Sequence, residues 1–468
     1  MRIILSLFIL LLSVVSVSAQ KLTVTVTVNE QVELATVVAR LAGFEEFVNH
    51  NFKSYAESVD NHFGKYRDHE LIKFAQKLRE TNRIAFSQYL SLPAHLNADY
   101  TQKVVFTESV PHKDFGRKNA EEFVRLLRKF YQDAECEKFF KDHAAMFRAA
   151  EQRYQEVVNK IDFPWFEKFY GERPDGTFMV NIGLLAGGGN FGEKVIYPNN
   201  KKESIAIMGV TAADEKGVPI FSAEAELPVI IHEFNHSFIN YLVDDNPKPF
   251  QVSCEIIYKL VAEKMKRQAY GGWQTPLNES LVRAAVIRYL FEHQGIEEAN
   301  AEIINEKASG FVWMDELFTL LGTYENNRER YSTLRSFMPV LAGYHIDLAK
   351  RIDDKVARFE ESKPKIIAIE EFKNEAQGVD PNTAQLTFIF ERPMKKRKGI
   401  SMDYGKNGEA GFPELRKGTA YSEDGMKFTL PVKLKPDWEY EFVVYGNSFT
   451  SKDGYPAQNY MVKFKTAK

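Results

Sequence analysis

The spacing of apolar residues changes along this chain, and any fold it adopts must accommodate each change. From about residue 32 to 160 they recur at intervals of three and four, as in Phe123, Leu126, Leu127, Phe130 and Tyr131, the period of a helix with one buried face. Asn119 is placed to cap that helix. From 177 to about 223 the apolar runs are short and separated by Gly, Pro and Asn, which predicts a small sheet. Strict alternation over 21–28 predicts a strand that opens the mature chain. A buried helix is expected over 229–242 with Pro228 in its first turn, and another from Thr275 and Pro276 to about 290. After 362 short strands with regular turn signals predict a β-sandwich of roughly 100 residues. The expected fold class is therefore α+β: a mainly helical domain with a small mixed sheet over 20–361, then a β-sandwich over 362–468.

The composition narrows the function. The 468 residues exceed what one compact core ordinarily holds. With 61 basic and 64 acidic side chains the net charge is -3, so no global field draws the chain to nucleic acid, and none is expected as a partner. Residues 1–19 read as a secretory signal peptide, with Arg2 at the start, an apolar run over 3–17, and small residues ahead of Gln20. A secreted or periplasmic location is expected, without a lipid anchor, because Gln20 is not a cysteine. No later apolar run approaches the ~20 residues that a membrane helix needs, so no integral membrane segment is expected in the mature chain. Cys136 and Cys254 permit one disulfide without requiring it, and two cysteines exclude a cysteine-built zinc knuckle.

The chemistry is carried by His232-Glu233-Phe234-Asn235-His236, which matches H-E-x-x-H. Residues four apart stack on one helix face, so two imidazoles can reach one ion. Zinc takes nitrogen and carboxylate ligands in a tetrahedral set and leaves one position open in a catalytic site. Glu233 then stands where it can take a proton from the nucleophilic water as general base. Two core histidines at this spacing by chance are the plain alternative.

A third ligand is needed. The glycine and third histidine of the metzincin pattern are absent, since Ile239 and Leu242 stand at those positions. Asp244 and Asp245 read as a solvated helix end. Glu279 shares a helix side with Val282 and Val286, a poor place for an uncompensated carboxylate, and is the expected ligand. The alternative is that it pairs with Arg283, which could instead orient it from behind. Tyr324 and Tyr331 are candidate donors to developing oxyanion charge, although tyrosines are common in cores. Gly187-Gly188-Gly189 lacks the lysine and hydroxyl of a phosphate loop and reads as a turn beside an edge strand, with 179–185 able to receive an extended peptide.

The order of these residues over 28–345 resembles the gluzincin-like peptidase families of exported bacterial proteins, in particular one catalogued as a domain of unknown function. The likeness rests on 32–43, on His232 to Phe238, on Asn278-Glu279 with 281–284, and on 324–339. It implies a zincin-like catalytic domain holding Zn2+ and hydrolysing a peptide or protein substrate. Many gluzincins carry an aspartate where this chain has Arg283. The last hundred residues resemble a bacterial immunoglobulin-like domain, through Val379-Asp380-Pro381-Asn382, 390–394, Leu434 to Asp437 and Phe464 to Thr466, and this implies docking, for instance at a cell surface. The competing reading is a zinc-retaining but inactive scaffold that binds a peptide or glycan. Glu233 argues against it, because a binder needs no base beside its metal.

Overall fold

The computed structural model describes residues 24–173, 176–397 and 399–468, so the signal-peptide expectation for 1–19 lies outside the described residues. The protein mixes helix and sheet, and its contacts divide it into two units. One unit holds 24–163 and 176–223, and the other holds 164–173 and 224–468.

In the first unit, strand β1 (Val24–Thr27) is followed by six helices: α1 (Glu30–Leu41), α2 (Lys53–Phe63), α3 (Glu70–Asn82), α4 (Phe86–Ala94), α5 (Gly116–Asp133) and α6 (Cys136–Val158). Strands β2 (Thr177–Gly183), β3 (Asn190–Ile196) and β4 (Lys202–Gly209) complete a four-stranded sheet ordered β1-β2-β4-β3. Pairing is parallel for β1 with β2 and β2 with β4, and antiparallel for β3 with β4. Helix α1 starts at Asn29, whose side chain accepts the Val32 N–H at 3.0 Å, and is buried from Gln31 to Leu41. Its Arg40 is satisfied in that interior by both Asp60 oxygens and the carbonyls of Phe47 and Asn49.

Two local expectations are corrected here. The run 179–185 falls largely on β2, which is interior to its sheet and has both edges paired, so it cannot receive a further strand. Strand order is set by contacts distant in sequence, and β3 takes the edge instead. Helix α5 begins three residues before Asn119, whose side chain donates back to the Phe115 carbonyl at 2.8 Å from within the first turn. The triple glycine is a turn: a Cβ at Gly209 would lie 2.1 Å from the Gly187 carbonyl oxygen, so the end of β4 and this turn need glycine for their close approach.

The second unit gathers α7 (Phe163–Tyr170), α8 (Ala223–Asp244), α9 (Lys248–Arg267), α10 (Gln274–Gln294), α11 (Ile296–Ala308), α12 (Met314–Glu325), α13 (Leu334–Ala349) and α14 (Ile352–Ser362). Helix α10 packs against α9, α11 and α12, and α13 packs against α9. Helix α8 starts five residues before Pro228, with Glu224 and Glu226 in a first turn whose free N–H groups favour negative charge. Pro228 is therefore inside the helix and not in its first turn. Likewise α10 begins at Gln274, which makes Thr275 a helical residue and not the cap, while Pro276 does lie in the first turn.

After α14 come β5 (Ile366–Ile369), β6 (Gln377–Val379), β7 (Gln385–Phe390), β8 (Met402–Tyr404), β9 (Glu414–Leu415), β10 (Ala420–Tyr421), β11 (Lys427–Lys433), β12 (Glu439–Val444) and β13 (Tyr460–Thr466). They form one sheet ordered β10-β11-β7-β5, with β9 also on β11, and another ordered β6-β13-β12-β8. Alternate residues of the longer strands point into one apolar cluster, among them Phe388, Leu430, Phe442 and Phe464. The expected border at 362 coincides with the end of α14. Across it Gln458 donates to the Glu360 carbonyl at 2.8 Å, and the Phe359 and Tyr455 rings are 6.1 Å apart. Cys136 and Cys254 are both buried and free. Among the described residues no helix is long and apolar enough to cross a membrane.

Glu33 on α1 supplies a test of the first unit. Burial pushes its carboxyl up to about 8 from an ordinary 4.5, against the hydrogen bond from the Leu184 N–H at 2.8 Å that lowers it. The folded chain thus keeps a proton that the unfolded chain releases, and this contribution to stability is full below pH 4.5 and lost as pH rises towards 8. Glu193, pushed up to about 7 by burial, acts with the same sign. Thermal melts followed by circular dichroism should show a higher midpoint at about pH 5 than at about pH 8, a loss on the order of a few kcal/mol, and Glu33→Gln should reduce the difference without abolishing it, because other buried carboxyls act with the same sign.

Candidate metal centre

Helix α8 buries Ile230, Ile231, Phe234, Asn235, Phe238, Ile239, Leu242 and Val243, a stripe at three- and four-residue intervals. The opposite side carries His232, Glu233, His236 and Asn240, all half-buried. Helix α7 fixes this orientation. Its Tyr170 ring lies parallel to Phe238 at 4.2 Å, Phe166 stacks on Phe238 at 5.7 Å, and Trp165 meets Tyr289 of α10 edge-on at 5.1 Å. The Tyr170 hydroxyl donates to buried Asn235 Oδ1 at 2.7 Å.

The two histidines bring their Nε2 atoms to 3.1 Å from one another. Glu279, on α10, straddles them: its Oε2 lies 3.5 Å from His232 Nε2 and its Oε1 lies 3.4 Å from His236 Nε2. One ligand atom from each of the three residues lies within 4.8 Å of the others. Four ligands held tetrahedrally at about 2.0–2.1 Å from zinc stand roughly 3.3 Å apart, close to the separations of 3.1, 3.4 and 3.5 Å found between these donors. The histidine side chains are 20% and 23% exposed and that of Glu279 is 9% exposed, so solvent reaches the imidazoles while the carboxylate comes from inside.

The protonation states suit the same chemistry. With His236 Nδ1–H donating to Asn240 Oδ1 at 3.0 Å, its Nε2 keeps a lone pair facing the cluster. Burial pushes His232 down to about 3, with the charge of Glu279 opposing, so it is neutral near pH 7. Burial pushes the Glu233 carboxyl up to about 7. Burial alone would raise Glu279 too, but His232, His236 and Arg283 outweigh it and hold that carboxyl below the usual range.

Behind Glu279 lies Arg283, one turn along α10, whose Nε–H donates to Glu279 Oε2 at 3.2 Å. Its Nη1 donates to both oxygens of Glu306, at 3.0 and 2.7 Å, and its Nη2 to the Tyr270 hydroxyl at 3.0 Å. That hydroxyl also hydrogen-bonds Glu279.

Asp244 closes α8 and accepts from Gln274 Nε2 at 2.8 Å, and Asp245 lies 3.8 Å from Arg335, so both serve the helix end. The Tyr324 hydroxyl is buried and donates to the Phe169 carbonyl at 2.6 Å, while the Tyr331 ring stands edge-on to Phe337 at 4.9 Å. Asn240, Tyr270 and Glu306 were not anticipated. Asn240 sits four residues after His236, and Glu306 shares a buried stripe with Ala299 and Ile303, so helical spacing signals both. Nothing local signals Tyr270.

A family model described as "Domain of unknown function (DUF4932)" matches residues 24–343, more than half of the chain. The chain belongs to this family. The DUF4932 region contains His232, Glu233, His236, Glu279 and Glu306, and stops before the C-terminal sheets. No curated protein matches the chain. Among solved structures, "surface layer protein SbsC, domains 1-6" is similar at 14% identity and a TM-score of 0.18, over 52% of this chain and 33% of that one. The N-terminal part of the bacterial S-layer protein SbsC is similar at 15% identity and a TM-score of 0.18, over 53% of this chain and 57% of that one. The chain thus spans a third to just over half of those structures, and likenesses this slight carry no argument.

Within the DUF4932 region, Tyr170→Phe would leave buried Asn235 Oδ1 without its donor. Urea unfolding should show a loss of about 1–3 kcal/mol relative to the parent chain.

Proposed function

We propose that this chain is an exported zinc-dependent metallohydrolase, a gluzincin-like peptidase cleaving peptide bonds in peptide or protein substrates. The observation that carries the reading is the convergence of His232, His236 and Glu279 at separations suited to one tetrahedral ion, with Glu233 on the same side of α8. Bound there, zinc would polarise the scissile carbonyl and lower the pKa of water to about 7. Glu233 takes the proton of the attacking water and passes it to the departing amine. Asn240 sets the tautomer of His236, and Arg283 with Tyr270 orients Glu279.

Export rests on the signal-like character of residues 1–19. The two C-terminal sheets, sharing one apolar cluster, support an immunoglobulin-like β-sandwich that docks the catalytic part, for instance at a cell surface.

Elemental analysis of the purified chain should find one zinc per molecule. Glu233→Gln should keep that metal while reducing cleavage of a peptide library by at least about a hundredfold; cleavage at the parent rate would remove Glu233 as the base. Glu279→Ala should lose most of its zinc on dialysis and Asp244→Ala should not. Equal retention by the two would strike Glu279 from the ligands.

A further inference from the structure

We infer that Glu306, on α11, is a positioning residue for the metal, acting on Glu279 through Arg283. The inference rests on the proposed metal site and deepens it.

A guanidinium beside a metal-binding carboxylate raises a difficulty. Paired with Glu279 alone, Arg283 would cancel the charge that attracts a cation and compete with it for the same oxygens. The geometry removes both problems. Arg283 presents only its Nε–H to Glu279, as a single bond of 3.2 Å to Oε2, and turns Nη1 to both oxygens of Glu306 at 3.0 and 2.7 Å. Its Nη2 is engaged by the Tyr270 hydroxyl at 3.0 Å, and its plane rests on the Phe311 ring with the guanidinium carbon 4.8 Å from the centroid. A planar fork held at Nη1, Nη2 and one face cannot rotate to grip Glu279 with two bonds.

Charge leads to the same conclusion. With Glu306 ionised, Glu279, Arg283 and Glu306 together carry one net negative charge beside the two imidazoles; burial pushes the Glu306 carboxyl up to about 7, with Arg283 opposing. Without Glu306 the sum is zero. Glu306 is 6% exposed, so its carboxylate is largely removed from water and its link to Arg283 is only weakly screened. A buried carboxylate whose two oxygens are both spent on one guanidinium has no other visible task.

The test measures metal affinity and geometry, not turnover. Zn2+ binding is titrated against a chromophoric chelator for the parent chain, Glu306→Gln and Glu306→Asp, and each is also loaded with Co2+ for its visible spectrum. Glu306→Gln should bind Zn2+ roughly 10–100-fold more weakly and alter the Co2+ bands. Glu306→Asp, which keeps the charge with shorter reach, should fall between Glu306→Gln and the parent. In an Arg283→Met background, Glu306→Gln should cause no further loss. Should Glu306→Gln fail to fold, Glu306→Asp binding as tightly as the parent, with the parent's Co2+ spectrum, would overturn the inference. Parent-like affinity in Glu306→Gln would overturn it while leaving the proposed function standing. Failure of the parent to bind Zn2+ would instead overturn the proposed function, and the inference with it.

Discussion

A carboxylate on a helix buried along most of its length governs the arrangement of the second unit. From Pro276 to Leu290 nearly every residue of α10 is buried, and Glu279 lies within that stretch. Removing an ionised carboxylate from water costs several kcal/mol unless matching charge and hydrogen bonds surround it. Arg283, one turn away, supplies both, and the two imidazoles of α8 lie 3.5 and 3.4 Å from the Glu279 oxygens, where a shared cation would complete the match. The aromatic side chains of α7 then hold α8 and α10 in place, since Phe166 and Tyr170 contact Phe238 while Trp165 contacts Tyr289.

Local spacing made much of this site legible. His232 and His236 share a helix face because a helix turns every 3.6 residues, and that follows from five letters of sequence. Glu279 could be found because a carboxylate on the same helix side as Val282 and Val286 needs a reason to be there. Tyr270 and Glu306 reach Arg283 from segments whose meeting depends on tertiary packing; spacing along α11 marks Glu306 as buried but does not name its partner. Tyr324 and Tyr331 drew attention by residue type alone, and the hydroxyl of Tyr324 turns out to satisfy a backbone carbonyl.

In the fold, element type was clearer than element limits or neighbours. Alternation in β11 and β13 matches their alternating burial, and the helical period of α5 matches its buried face. The starts of α5, α8 and α10 differ from expectation because Asn119 and Thr275 are also tolerated just inside a helix, while α8 runs through Pro228 from a start five residues earlier. The place of β2 in its sheet could not be read locally, since strand order depends on where β1 and β4 return.

The division into units also follows no single cut in the chain. Residues 164–173 belong with 224–468, although 176–223 fold with the first unit. An expression fragment starting at 224 would carry both histidines and Glu279 but lack Trp165, Phe166 and Tyr170. The faces of Phe238 and Tyr289 would then meet water, and Asn235 would lose its phenol partner. The half that carries the candidate metal site is thus assembled from two stretches of polypeptide, and trimming it to the stretch that bears His232, His236 and Glu279 would discard the wedge that holds them together.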